Sequence, residues 1–222
     1  MHFLCLHGVG TNSKILELQT AAIRYGLGPE HTYDFVEGGV DYPMEAGIAH
    51  LVSARDSFHA YFDPSSGRAM ISALGDLAQL IADADPPYDG ILGFSQGASL
   101  AATFLLGPDP MAKTCFKVAI FLSAGMAADH AVLHLDRVQM LEAKAKAGQC
   151  NIGIQIPTAH VFAENDPVAP AQGRLLHALC APTVAHVAVH NLGHRVPGAG
   201  ERDDLQRAIT VIRQAIADAE RR

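Results

Sequence analysis

The sequence predicts an α/β fold: a mostly parallel sheet of about six strands with helices on both faces. Three observations carry that expectation. Short apolar runs alternate with longer amphipathic ones along the whole chain. The apolar runs are continuous rather than alternating, as strands covered on both faces require. Length and composition fit one globular body: 222 residues, 49% hydrophobic and 18% charged, enough for one sizeable core. One domain over residues 1–222 is therefore expected.

The elements follow in order. Residues 3–6 form a buried-type strand ending at His7-Gly8. Asn12 or Ser13 is placed to cap a helix through Ile15, Leu18, Ala22 and Ile23 to Gly26. Residues 33–36 give a second strand. Residues 68–84 are helical, with Ile71, Leu74, Leu77, Ala78 and Ile81 on one face, and Pro86-Pro87 stops them. Residues 90–94 are a strand and 96–106 a helix ended by Gly107-Pro108. Residues 118–122 and 159–163 are strands, 169–179 a helix and 184–189 the sixth strand. A terminal helix carries Leu205, Ile209, Ile212 and Ile216 on one stripe. Segments 39–67 and 125–156 break the alternation. As insertions at strand ends they are candidate lids.

Charge and cysteine usage exclude several classes. The formal net charge is −7, which repels phosphate backbones, and no basic run offsets it, so no nucleic-acid partner is expected. Cys5, Cys115, Cys150 and Cys180 are dispersed, with neither zinc spacing nor the density of a disulfide framework. The first residues lack a basic region and a small-residue cleavage site, and no apolar stretch is long enough for a bilayer. The expectation is a reduced, cytoplasmic protein without a membrane span.

The chemistry centres on Gly93-Phe94-Ser95-Gln96-Gly97. This is G-x-S-x-G, a sharp strand-to-helix turn that exposes a serine hydroxyl. With 20 Gly in 222 residues, chance gives roughly 0.07 such matches, and the strand before and helix after supply the required context. His7-Gly8-Val9-Gly10 follows the first strand and can offer backbone N–H groups to an oxyanion. Val9 and Gln96 N–H are the proposed pair. The acid should follow a later strand: Asp166 is chosen, with Glu164 as the alternative. Asp166 can also cap the following helix. The base should follow the last strand: His194 lies in a loop after Gly193, whereas His190 sits at the strand end and reads as structural. The chain order Ser95, Asp166, His194 is that of α/β-hydrolases. His130 and His134 have i, i+4 spacing but no third ligand, so no metal and no cofactor is expected.

At these residues the chain resembles the fungal-type serine hydrolase (FSH) family. Leu4-Cys5-Leu6-His7-Gly8-Val9-Gly10-Thr11-Asn12-Ser13 resembles its opening, and Asp89-Gly90-Ile91-Leu92-Gly93-Phe94-Ser95-Gln96-Gly97-Ala98 its nucleophile elbow. Ile156-Pro157-Thr158-Ala159-His160-Val161 with Asp166 is similar to its acid segment. His190 with Gly193-His194-Arg195-Val196-Pro197 is similar to its histidine segment. One departure is Leu192 before Gly193, where the family pattern has a second glycine. The resemblance implies an α/β-hydrolase fold, the triad Ser95, Asp166 and His194, and a structural His160. It also implies esterase or thioesterase activity, in several members the release of a polyketide acyl chain from an acyl carrier protein.

Three functions compete on this reading: hydrolysis of an acyl ester or thioester, acyl transfer or lactone formation by the same site, and small-molecule binding on a retained fold. For the first, Phe94, Phe58, Tyr61, Phe62 and Leu192 are the candidate lining of an apolar acyl pocket.

Overall fold

A computed structural model describes residues 1–141 and 153–222. Six strands form one sheet in the order β2-β1-β5-β6-β7-β8, every neighbouring pair parallel. They are β1 (His2–Leu6), β2 (Thr32–Val36), β5 (Gly90–Phe94), β6 (Val118–Leu122), β7 (Thr158–Ala163) and β8 (Ala185–His190). A small antiparallel hairpin, β3 (Val40–Asp41) and β4 (His59–Ala60), lies within the first candidate lid segment.

The helices cover both faces, and the strands divide between two cores by the two-residue period of the pleat. Leu4, Leu6 and Ile91 face one core with α2 (Gly67–Ala82), α3 (Gln96–Leu106), α4 (His130–Leu133) and α5 (Gln172–His177). Phe3, Cys5, Leu92 and Phe94 face the other, against α1 (Ser13–Leu27) and α6 (Arg202–Glu220). Burying one Leu, Ile or Phe stabilises the fold by about 1.5–3 kcal/mol, so continuous apolar strands fix this two-layer cover.

Caps set the helix starts. Asn12 Oδ1 accepts from Ile15 N–H at 2.8 Å, and so is the cap of α1. Ser66 Oγ accepts from Ala69 N–H at 3.2 Å and starts α2. The helix expected over 169–179 is shorter, because Ala171 takes a left-handed φ of 60° immediately before α5.

Chain direction positions the site. From β1 the chain moves outward to β2, then returns past β1 to place β5 on its other side. The loops after β1 and β5 diverge there, leaving a crevice at the carboxyl ends of the strands. His7 to Gly10 leaves β1 at that point and Ser95 leaves β5.

The second lid segment holds α4, and its stretch 142–152 lies outside the described residues, as does Cys150. Among the described residues Cys5, Cys115 and Cys180 are free, no group of three metal-binding side chains occurs, and no helix is long and apolar enough to cross a membrane.

Candidate active site

Ser95 sits between β5 and α3 with φ 52° and ψ −113°. A left-handed serine costs about 1–3 kcal/mol and persists only where the surroundings impose it. Here three hydrogen bonds do so. Ser95 N–H donates to Leu122 O at 3.0 Å, Gly97 N–H to His7 O at 3.0 Å, and Ser99 N–H to Ser95 O at 3.0 Å. The flanking glycines are steric necessities: a Cβ on Gly93 would lie 2.5 Å from Ala98 Cα, and one on Gly97 2.3 Å from Leu6 O.

His194 Nε2 lies 2.8 Å from Ser95 Oγ, and His194 Nδ1 2.7 Å from Asp166 Oδ2. The other Asp166 oxygen accepts from Val168 N–H at 2.9 Å and Ala169 N–H at 3.0 Å. Capping and facing the histidine are thus done by different oxygens of one carboxylate. Burial pushes the Asp166 carboxyl up. The hydrogen bonds from Ala169, His194 and Val168, with the electrostatic attraction of the His194 ring, outweigh it and hold the carboxyl below its ordinary range. Glu164, the alternative acid, is exposed and paired with Arg174. His190 is buried at the end of β8, where its Nδ1 accepts from Leu192 N–H at 3.2 Å.

The histidine loop is tied to the acid loop by Asn165 and to the end of β6 by Ser123. Asn165 Nδ2 donates to Asn191 O at 3.0 Å, and Asn165 Oδ1 accepts from Gly193 N–H at 3.1 Å. Ser123 Oγ donates to Arg195 O at 3.2 Å. The signal for Asn165 was the polar run Glu164-Asn165-Asp166 at a strand end. Ser123 carried none. Gly193 has φ 68°, whereas Leu192 is not in the left-handed region, so a second glycine is unnecessary at 192.

The Val9 N–H follows Gly8 in the chain, and the Gln96 N–H follows the serine. Gly8 abuts it: a Cβ on Gly8 would lie 3.3 Å from Ser95 Cβ and 2.9 Å from the Phe94 ring. Neither N–H donates to another group among the described residues. The Gln96 side chain does separate work. Its Oε1 accepts from Tyr61 N–H and its Nε2 donates to Phe62 O, both at 2.9 Å, so it pins the segment after β4 to the elbow.

The structure redistributes the five residues expected to line a pocket. Phe62 and Phe94 are buried in the two cores, and Phe94 packs on the His194 ring at 5.2 Å. Phe58 and Leu192 are half-buried. Tyr61 does line a cavity, of about 500 Å³, between α2 and the ends of β1 and β2. Its walls include Leu6, Val36, Ala73, Leu77 and Leu100, with Glu37 and Asp76 also contributing, and Ser95 and His194 do not line it. Tyr61 joins cavity to site: its hydroxyl accepts from His7 N–H at 2.9 Å and donates to Val36 O at 2.8 Å.

An all-parallel sheet with a left-handed serine at its switch point, a histidine on that serine and an aspartate on that histidine is the arrangement expected of the α/β-hydrolase fold. The family model described as Serine hydrolase (FSH1) matches residues 1–204. The chain belongs to this family. Esterase FPY3 of Fusarium mangiferae is 38% identical over 213 residues, covering 94% of this chain and 95% of that protein. Among solved structures, a carboxylesterase from Mesorhizobium loti superposes with a TM-score of 0.62 at 16% identity, over 97% of this chain and 88% of that one. Zea mays acyl-protein thioesterase 2 gives 0.59 at 18% identity, over 96% and 93%. At those identities the two structures establish the shared fold.

Proposed function

We propose that the chain hydrolyses acyl esters or thioesters through a covalent intermediate on Ser95. The observation that carries this reading is the continuous contact Ser95–His194–Asp166 at 2.8 and 2.7 Å. Ser95 Oγ attacks the acyl carbonyl carbon while His194 Nε2 takes its proton. Asp166 holds the Nδ1–H tautomer and stabilises the imidazolium. The oxyanion that develops is met by Val9 and Gln96 N–H. His194 then gives the proton to the departing oxygen or sulfur, leaving an acyl-serine. Water, deprotonated by His194, attacks that ester and returns the free acid and Ser95.

The apolar cavity beside Tyr61 takes the acyl portion. Its volume lies within the range of small-molecule sites. Glu37 and Asp76 in its lining disfavour a chain ending in carboxylate. Segment 39–67 contributes Gly39, Val40 and Tyr61 to this lining and acts as the lid. An acyl carrier protein as donor of the acyl group rests on the family.

A panel of neutral acyl esters and matching pantetheine thioesters of graded length, run on wild type and Ser95→Ala, tests the reading. Turnover in wild type and none in the variant is expected. Equal turnover in both would remove Ser95 from the reaction.

A further inference from the structure

His7 and Thr11 form a clamp on the loop after β1. His7 is fully buried and Thr11 nearly so. Thr11 Oγ1 donates to Gly8 O at 2.7 Å, and His7 Nδ1 lies 2.7 Å from the same oxygen. A carbonyl oxygen only accepts, so Nδ1 carries the proton. The other ring nitrogen agrees, because Nε2 accepts from Gly38 N–H at 2.9 Å. Both lone pairs of Gly8 O are therefore occupied.

Glu37 Oε1 also lies 3.0 Å from Nε2, which suggests an ion pair. The neutral ring is the better description. Burial lowers the His7 pKa, and the Gly8 carbonyl and Glu37, which pull it up, do not offset that. Glu37 has other partners, since its two oxygens accept from Ser13 N–H and Ser13 Oγ at 3.0 Å.

The consequence lies one atom along the chain. The Gly8–Val9 peptide is planar and trans, so its C=O and N–H point in opposite directions. Fixing the carbonyl from one side fixes where Val9 N–H points on the other. Gly8 itself is held against Phe94 and Ser95, leaving the peptide little freedom to rotate.

We infer that His7 and Thr11 are positioning residues: by gripping the Gly8 carbonyl they aim Val9 N–H at the oxyanion. The inference rests on the proposed acyl transfer to Ser95 and adds what holds its oxyanion donor in place. Such a donor pays off only when preorganised.

The test compares Thr11→Val and Thr11→Ser by steady-state kinetics on a neutral acyl ester and by inhibition with an alkyl trifluoromethyl ketone. Ser95 Oγ adds to that ketone, its proton passing to His194, and the carbonyl becomes an oxyanion. Removing one oxyanion donor outright costs about 10²–10³ in kcat. Loosening it by losing one of two clamps should cost Thr11→Val about tenfold, with KM unchanged. Ketone affinity should fall in proportion to kcat/KM, and Thr11→Ser should restore both. A folded Thr11→Val with wild-type kcat and ketone affinity, or a loss that serine does not restore, overturns the inference.

If Thr11→Val does not fold, His7 decides. Asn places a donor near Nδ1 and Gln places it near Nε2, so His7→Asn should keep more of kcat than His7→Gln. Equal rates overturn the inference. Ser95→Ala run alongside separates the two readings: turnover there equal to wild type contradicts the Ser95 mechanism, whereas a Ser95→Ala variant reduced to background beside an unaffected clamp contradicts only the clamp.

Discussion

Asp166 and His194 meet at 2.7 Å through one carboxylate oxygen, while the other oxygen caps the turn that leads to α5. The same side chain thus sets the direction of the imidazole and the fold of the loop that carries it. Asp166→Asn keeps an oxygen for the turn but removes the charge that holds the Nδ1–H tautomer. Activity should fall by about 10⁴ with the thermal midpoint nearly unchanged. Asp166→Ala should lose activity and also about 1 kcal/mol of stability. Ester kinetics and thermal melts of the two variants check this.

Acid should destabilise the protein through His160. This ring is fully buried in β7 between Phe121 and His177, and burial lowers its pKa to about 3. The unfolded chain takes up the proton below its ordinary pKa of about 6.5, while the folded protein does not until about 3. Stability is therefore lost as pH falls through this window, by about 1.4 kcal/mol per unit. Urea titrations at pH 7 and pH 5 should show a smaller drop for His160→Phe than for wild type. An equal drop would place the acid sensitivity elsewhere.

Asp166 works in the same direction but lower. Its folded pKa lies below the unfolded value of about 3.9. Its contribution is present above that value and is lost as pH falls through the folded pKa. Asp166→Asn should flatten the acid limb only below about pH 5.

The Gln96 side chain should matter for stability independently of its backbone. Replacing it with Leu leaves Tyr61 N–H and Phe62 O without their partner. An unsatisfied buried group costs about 1–3 kcal/mol. Gln96→Leu should lower the thermal midpoint and expose the segment after β4 to faster hydrogen exchange. Unchanged exchange there would show that the segment is held by other contacts.

The cavity makes a specificity prediction. Ala73 lines it from α2 and lies outside the Ser95 contacts. Ala73→Leu removes space for a few methylenes, each worth about 0.8 kcal/mol. The kcat/KM for octanoyl and decanoyl esters should fall about tenfold or more, with acetyl and butyryl esters little affected. A uniform change across the series would contradict the placement of the acyl chain.

Much of this was legible in the sequence, for identifiable reasons. β1, β5, β6 and β7 are buried on both faces, so their apolar runs mark them directly. The elbow was legible because its geometry demands glycine at 93 and 97. The loops after β7 and β8 could be located by counting strands. What escaped depends on partners far apart in the chain. β3 and β4 have two residues each and exist only by pairing across 17 intervening residues. The fates of Phe62 and Phe94 were set by packing, since an aromatic beside a nucleophile has the same sequence signature in a core or in a pocket. Ser123 and the Gln96 side chain act on main-chain groups, which no residue pattern encodes, and Asn165, which does the same, was marked only by the polar run around it.

The central claim is that Ser95 is an activated nucleophile. Intact-mass spectrometry after treatment with a fluorophosphonate, on wild type and Ser95→Ala, tests it most directly. One adduct on wild type, mapped to the peptide carrying Ser95, and none on the folded variant is the predicted result. A folded wild type that takes up no adduct, or a variant labelled as readily as wild type, would contradict it.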